Sequence, residues 1–353
     1  NQGATVAQAW QLRPGVALTA SQVAQLTSDI VWLVEQTVTL PDGTTQQVLV
    51  PQVYVVPRQG DLKGDGTLLA GNTVRLAASG DFTNSGTVAG RSLADLSAHN
   101  IKNLGGQIAG DKVSLSATND IDNIGGRITA NSSLALMAGR DINVKSTTVS
   151  GSGQSTLGQT TGQFTATQLD RLAGLYVTGD KGLLTVVAGR DINLTAAEVK
   201  NTQGASPLLA GRDLKLETLT LSQQSDIRYS AGNTAKFGNS TEIGTTIKSG
   251  GSLALVAGND INARATRIDA LGDLSLKAGN DINLSAGRNE QYIDQATQQS
   301  KKTSSLSGKT TNKTTVFQEE RSDAVGSSLS GQNISLQSGR DLSLEAASLS
   351  SWN

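Results

Sequence analysis

Aspartate is the residue that recurs here in a pattern able to do chemistry. It stands in AGRDINLTA at 188–196, and nearly the same string returns as AGRDINVKS from Ala138, AGNDINARA from Ala257 and AGNDINLSA from Ala278. With the acid as position zero, the phrase recurs at Asp81, Asp120, Asp141 and Asp191, then at Asp213, Asp260, Asp281 and Asp341. A carboxylate so placed has three uses: holding a cation, moving a proton, or accepting backbone N–H groups in a turn. Calcium wants six or more oxygens, and one acid beside Arg or Asn in each repeat offers too few. Calcium-binding β-roll repeats have a nine-residue period rich in Gly-Gly-x-Gly-x-Asp, unlike this one. Glycan cleavage needs acids that converge on one groove, whereas these return in register. Asp61 and Asp65, within GDLKGDG, come nearest to a cation loop. The reading is therefore structural turn residues, with no catalytic residue, metal ligand or cofactor site assigned.

Other chemistries find little support. The chain has 353 residues, a formal charge of −1, one His and no Cys. Thiol catalysis and disulfides are excluded, and the absence of Cys suits a chain exported through an oxidising space. No global field draws it to nucleic acid or an anionic membrane, and basic stretches interleaved with aromatic stacking platforms are missing. Lys301, Lys302 and Lys313 form too small a patch to alter that. His99 sits in the short turn Ala98-His99-Asn100-Ile101 without a fixed partner, as a surface histidine. No GxSxG, phosphate loop or metal-spaced His/Cys cluster occurs. A span of about 18 apolar residues is also lacking. NQGATVAQAW carries no signal-peptide pattern and reads as the interior of a longer chain.

The elements that place the acids follow from the spacing. Neighbouring copies lie roughly 20–22 residues apart, a period typical of solenoids. Seven and five residues before the acid stand pairs such as Leu134/Leu136, Leu184/Val186 and Leu253/Leu255; three before is usually Ala, and one after is Ile, Leu or Phe. Period two means strand, with the apolar set facing inward. The Gly-Arg/Asn-Asp between strands is read as a turn in which Gly supplies positive φ and Asp bonds free N–H groups. One such coil cannot bury its own apolar face, and stacked coils can. The pattern predicts an all-β, right-handed parallel β-helix of around ten coils and roughly 50 Å. A narrow aliphatic core also accounts for 3% aromatic residues.

In the early coils the third residue after the turn is Asn, at Asn84, Asn103 and Asn123, as an amide ladder requires. From Asp141 onward the Asn moves one place earlier, to Asn143, Asn193, Asn262 and Asn283, which predicts a new coil cross-section near residue 140. Two polar stretches, about 146–180 and 286–330, break the period as excursions, the second in the manner of a β-hairpin. A degenerate corner is assigned to Ala231-Gly232-Asn233. Residues 1–60 form an N-terminal cap or junction, and 61–353 the β-helix. Within the cap, LTASQVAQLTSD predicts a short helix through Thr19 and Gln22, and LPDGTT joins two β-rich runs as a hairpin. Trp10, Trp32 and Tyr54 gather aromatic content there.

The repeated phrase, from about Leu62 to Leu349, resembles the filamentous haemagglutinin repeats of two-partner secretion exoproteins. LTSDIVWLVEQTVTLPDGTTQQVLVPQVYV and QYIDQATQQSKKTSSLSGKTTNKTTVF look like the second, toxin-proximal repeat region of the CdiA proteins of contact-dependent growth inhibition. The resemblance implies a non-enzymatic β-helix segment of a secreted, cell-surface exoprotein of a Gram-negative bacterium. It also implies an outer-membrane two-partner secretion transporter, a C-terminal toxin domain in the parent chain, and engagement of the target cell's outer membrane or envelope proteins during toxin translocation. The other reading is the shaft of a filamentous adhesin that binds a host-cell glycan or receptor through its excursions. No family catalytic residue carries over.

Overall fold

A computed structural model of the chain describes residues 13, 15–18, 22, 30–39, 45–54, 68–302 and 310–352. The chain divides into two compact units, Asn1–Asp65 and Gly66–Asn353. In the first, Ile30–Thr39 pairs antiparallel with Thr45–Tyr54, and Gly15 bridges to Val34. The expected helix over LTASQVAQLTSD falls, but for Leu18 and Gln22, outside the described residues, as do Asp61 and Asp65.

The second unit is a β-solenoid. One wall is a nine-stranded parallel sheet, with one strand from each of nine coils: Phe82–Asn84, Ile101–Leu104, Ile121–Ile124, Ile142–Lys145, Ile192–Thr195, Leu214–Glu217, Ile261–Arg264, Ile282–Ser285 and Leu342–Leu344. The remaining coil strands form a second, fifteen-stranded sheet. Alternation places the same position of every coil in line. Ile121, Ile142, Ile192 and Leu214 stack as one ladder, and Leu134, Leu184 and Ile334 occupy the equivalent inward place in their own coils. Leu134, Leu136, Leu184, Val186, Ile192 and Leu194 are fully buried. Each such side chain contributes about 1.5–3 kcal/mol. Where Ser206 replaces the usual aliphatic, a buried polar plug forms: its hydroxyl meets Ser249 Oγ at 2.9 Å and receives Asn201 Nδ2 at 3.2 Å.

The cross-section does change after the fourth coil. The strand Arg127–Ala138 is continuous, but it pairs with two strands of the next coil, Gly174–Val177 and Leu183–Ala188. A register shift at a Gly, as between Gly90 and Leu93, makes the bend in early coils; a full turn makes it later. Among the described residues the solenoid has nine coils rather than about ten, because one stretch read as a coil is something else. Ala231-Gly232 is no corner. It is the tip of a hairpin, Leu219–Ser230 against Asn233–Ile243, with Gly232 at φ 82.

Candidate functional site: the corner ladders and a hairpin sheet

At the recurring acid, each coil is tied to the next. Asp141 accepts Arg190 Nε at 2.7 Å and the Asp191 N–H at 3.2 Å. Asp191 does the same with Arg212 at 2.8 Å and Asp213 N–H at 3.2 Å. Asp120 takes Arg140, and Asp281 takes Arg340. Where Asn replaces Arg, the amide does the work: Asn259 reaches Asp213 at 2.8 Å and Asn280 reaches Asp260 at 2.9 Å. Arg and Asn thus alternate freely in the phrase because both donate to the acid one coil earlier. Asp81 is held by Asn100 and Lys102, each at 2.6 Å. Asp341 stands in the ninth coil, and its N–H donates to Asp281. Hydrogen bonding from Arg340 holds the Asp281 carboxyl below the ordinary carboxylate value. For Asp191, burial pushes upward, but Arg212 and the Asp213 N–H outweigh it and the carboxyl is lowered.

The corner glycine has a different cause from the one expected. Gly139, Gly189, Gly211 and Gly258 are not among the positive-φ residues. A Cβ on Gly189 would lie 2.2 Å from the Gly139 carbonyl oxygen, and one on Gly139 would lie 2.2 Å from that of Thr118. Stacking distance, not backbone handedness, excludes a side chain. Left-handed backbone occurs at the next corner instead, at Gly105 (φ 68) and Gly125 (φ 60), then at Ala196 and Ala265 (φ 46 each) and Ala346 (φ 48).

Asn84, Asn103 and Asn123 are buried and linked: Asn84 Nδ2 donates to Asn103 Oδ1 and Asn103 Nδ2 to Asn123 Oδ1, both at 2.8 Å. The amides of Asn103 and Asn123 also reach the carbonyls of Gly106 and Gly126. Val144 then takes the inward place above Asn123. Because a strand's faces alternate, moving Asn back one position transfers it to the outer side. There Asn143 donates to Asp122 and Asn193 to Asn143, both at 2.8 Å. His99 lies exposed, with Nδ1 2.9 Å from Thr118 Oγ1. Among the described residues no three His, Cys, Asp or Glu side chains gather as a metal site would need.

What the spacing hid is a third sheet. Three hairpins leave the solenoid: Thr147–Leu157 with Thr160–Arg171, Leu219–Ser230 with Asn233–Ile243, and Gly287–Lys302 with Thr310–Val325. They join side by side into one six-stranded antiparallel sheet. Thr161–Thr167 pairs with Ser222–Arg228, and Thr234–Thr241 with Asn289–Ala296. The hairpins follow Ile142–Lys145, Leu214–Glu217 and Ile282–Ser285, which are the fourth, sixth and eighth coils. The fifth, seventh and ninth coils turn tightly instead, at Ala196, Ala265 and Ala346. This alternation is geometry: a hairpin is two strands wide, two coils rise by two strand spacings of about 4.8 Å, and so neighbouring hairpins meet at pairing distance.

Buried hydroxyls secure each root. Ser146 Oγ donates to the Ala196 carbonyl at 2.6 Å and accepts the Ala173 N–H at 2.9 Å. Thr245 Oγ1 donates to the Leu194 carbonyl at 2.9 Å. Ser327 Oγ accepts the Thr266 N–H at 3.1 Å. Glu242, at the base of the second hairpin, takes Arg264 in two bonds of 2.7 and 2.8 Å, and chiefly for that reason its carboxyl is lowered.

The hairpin sheet has one apolar face. Register puts Gly153, Phe164, Ser225, Phe237, Ile293 and Glu319 in one row across the six strands. Two residues along on the same face, a second row carries Ser155, Gly162, Ile227, Ala235, Gln295 and Phe317. Three of the chain's four Phe thus share one face. Phe164 is 44% exposed and Phe317 51%, and none of the three belongs to the solenoid core cluster. A hollow of about 870 Å³ lies over this face, lined by Phe164, Phe237 and Ile293 among others. That is the size of a ligand or side-chain recess.

A family model described as "Hemagglutinin repeat" matches residues 89–182 and 226–352, more than half of the sequence. The chain belongs to the hemagglutinin-repeat family. It is also 29% identical over 273 residues to "Toxin CdiA" of Yersinia pestis, a match that covers 76% of this chain and 8% of that protein. The hemagglutinin-repeat chain therefore spans a small part of that curated relative's length. No solved structure matches it. The second family match contains the second hairpin from Asp226 and all of the third, so the excursions lie within the repeat region and not outside it. Polar alternation without an aliphatic pair before Ala231-Gly232 was the available sign of the missed hairpin.

Proposed function

We propose that this chain is a non-catalytic structural segment of a large two-partner secretion exoprotein, displayed at the surface of a Gram-negative bacterium, and that it serves toxin delivery into target bacteria. The observation that carries the reading is the union of a coil-stacked rod with a projecting hairpin sheet, in a chain similar to a protein named Toxin CdiA. Stacked coils let the chain fold progressively as it leaves an outer-membrane transporter, since each coil needs only its predecessor. The acids are spent on holding coils together, which supports a structural and not a catalytic role for Asp120, Asp141, Asp191 and their equivalents. The hairpin sheet is the working surface, facing the target cell's outer membrane or envelope proteins. A toxin domain C-terminal in the parent chain is the cargo.

The test is replacement of all three hairpins by the tight corner of Thr195-Ala196-Ala197 within the parent exoprotein. Display and cell attachment persist while delivery is lost. Delivery that survives the replacement sinks the reading. A second reading, an adhesin shaft, draws on the aromatic hollow with Gln223, Asn239 and Gln291 on its lining, a suitable platform for a host glycan. Under it, the same replacement abolishes attachment itself.

A further inference from the structure

A single-layer sheet with an apolar face is an incomplete structure in water, because globular units bury such faces between two layers. The opposite face is the more polar of the two: the row adjacent to Phe164 and Phe237 carries Ser152, Thr165, Gln224, Gly238, Tyr292 and Glu320. On the aromatic face Phe164 stays 44% exposed and Phe317 51%.

We propose that the aromatic face of the hairpin sheet packs against the same face of a second copy of this chain, forming a two-layered sandwich. Three observations favour a second copy as the occupant. The first is area. Six strands about 4.8 Å apart and roughly ten residues long present on the order of 1,000 Å², and a stable pair needs about 800 Å² per partner. The second is shape. Large and small residues alternate on the face, Phe164 beside Gly153 and Phe237 beside Ser225, and a Cβ on Gly151 or Gly153 would meet nothing within 4 Å. A surface of knobs and hollows can fit its own copy across a two-fold axis. The third is charge. The outer strand Thr310–Val325 carries Lys313, Glu319, Arg321 and Asp323 on this face, while the other outer strand, Thr147–Leu157, has no charged residue. With the two-fold along the strands, each charged strand lies over the uncharged strand of its mate, and like charges do not meet.

The test is sedimentation equilibrium of the whole chain across a micromolar concentration series. The expected species has twice the 36.4 kDa chain mass. Phe237→Glu, at the centre of the face, returns it to the chain mass, and Phe164→Ser raises the dissociation constant more than tenfold. Circular dichroism of both variants reports that strand content is kept. Because the chain has no Cys, Ser225→Cys gives one thiol per copy, and a short bismaleimide joins the copies there but not through Gln224→Cys on the opposite face. A species at the chain mass at every concentration overturns the proposal. So does a dimer indifferent to Phe237→Glu, a dimer that crosslinks through Gln224→Cys, or a monomer whose aromatic face instead binds phosphatidylcholine vesicles.

Discussion

The solenoid and the hairpin sheet use the same element, the β-strand, and bury it in opposite ways. In the solenoid the core is aliphatic but for Phe82 at one end of a ladder, the strands run parallel, and Phe164, Phe237 and Phe317 are absent from it. In the hairpin sheet the strands are antiparallel, and those three phenylalanines stand on one open face. Leu194 is fully buried where Leu157 is 83% exposed. One region is complete without a partner and the other is not, so stability should reside in the first and binding in the second.

The largest effect that would test this contrast is a cavity in the solenoid. Leu194 stacks between Val144 and Leu216 with no exposed surface. Leu194→Ala should cost about 2–5 kcal/mol, read from chemical denaturation. A cost below ~1 kcal/mol would mean that the aliphatic ladder does not carry the stability of the rod.

Close stacking of the corners gives the next test. Gly189→Ala places a methyl 2.2 Å from the Gly139 carbonyl oxygen, a backbone atom that cannot swing aside. A loss of about 1–3 kcal/mol is expected, as for an overpacked core. Gly80→Ala is the control, since nothing lies within 4 Å of its Cβ. Equal losses in the two variants would count against stacking as the reason for glycine.

Asn103→Ala removes the middle of the buried ladder, taking from Asn84 its shortest acceptor and from Asn123 Oδ1 its donor. About 1–3 kcal/mol should be lost through the unsatisfied groups. Amide exchange near Gly86 and Gly126 should quicken, while exchange in the hairpins stays unchanged. Faster exchange in the hairpins as well would show that the two regions unfold as one.

How much of this could be read beforehand follows from the distance over which each feature is specified. Pairs such as Leu134/Leu136 and Leu253/Leu255 declare an inward face locally, because strand alternation is a property of neighbours. Asn84, Asn103 and Asn123 likewise stand at one offset from their corners, which is what suggests a ladder; nothing in that offset says that it lies inward. The corner glycine was recognised but its cause was not: the atom that excludes a Cβ from Gly189 belongs to a residue 50 positions earlier. The second hairpin reads as a coil in sequence because AGN resembles the corner phrase. The aromatic face was out of reach entirely. Phe164, Phe237 and Phe317 share it only because hairpins from alternate coils pair in register, and no pattern inside any one segment encodes that.

Acid should loosen the solenoid slightly. The carboxyls of Asp120, Asp191 and Asp281 are all lowered in the folded chain. A depressed folded value contributes stability that is fully present above the unfolded carboxylate value near ~3.9 and is lost as pH falls through the folded one. The melting temperature should therefore hold from neutrality to about pH 4 and decline below it. Arg212→Gln should flatten part of that decline by removing the partner of Asp191. A decline centred well above pH 4 would assign acid sensitivity to groups other than the corner acids.

The smallest effect belongs to the hairpin sheet itself, and it separates the sheet's two faces. Val316 is 58% exposed and points away from the aromatic side, while its neighbour Phe317 points toward it. Val316→Thr keeps a β-branched side chain suited to a strand and should change stability by no more than about 0.5 kcal/mol. It should also leave self-association untouched. Phe317→Thr should be equally mild in a dilute monomer, since the ring buries little there, yet weaken any pairing of the faces. If both substitutions destabilised the monomer by more than ~1 kcal/mol, the hairpin sheet would already be covered on both sides within one chain, and the contrast between a finished rod and an unfinished sheet would fail.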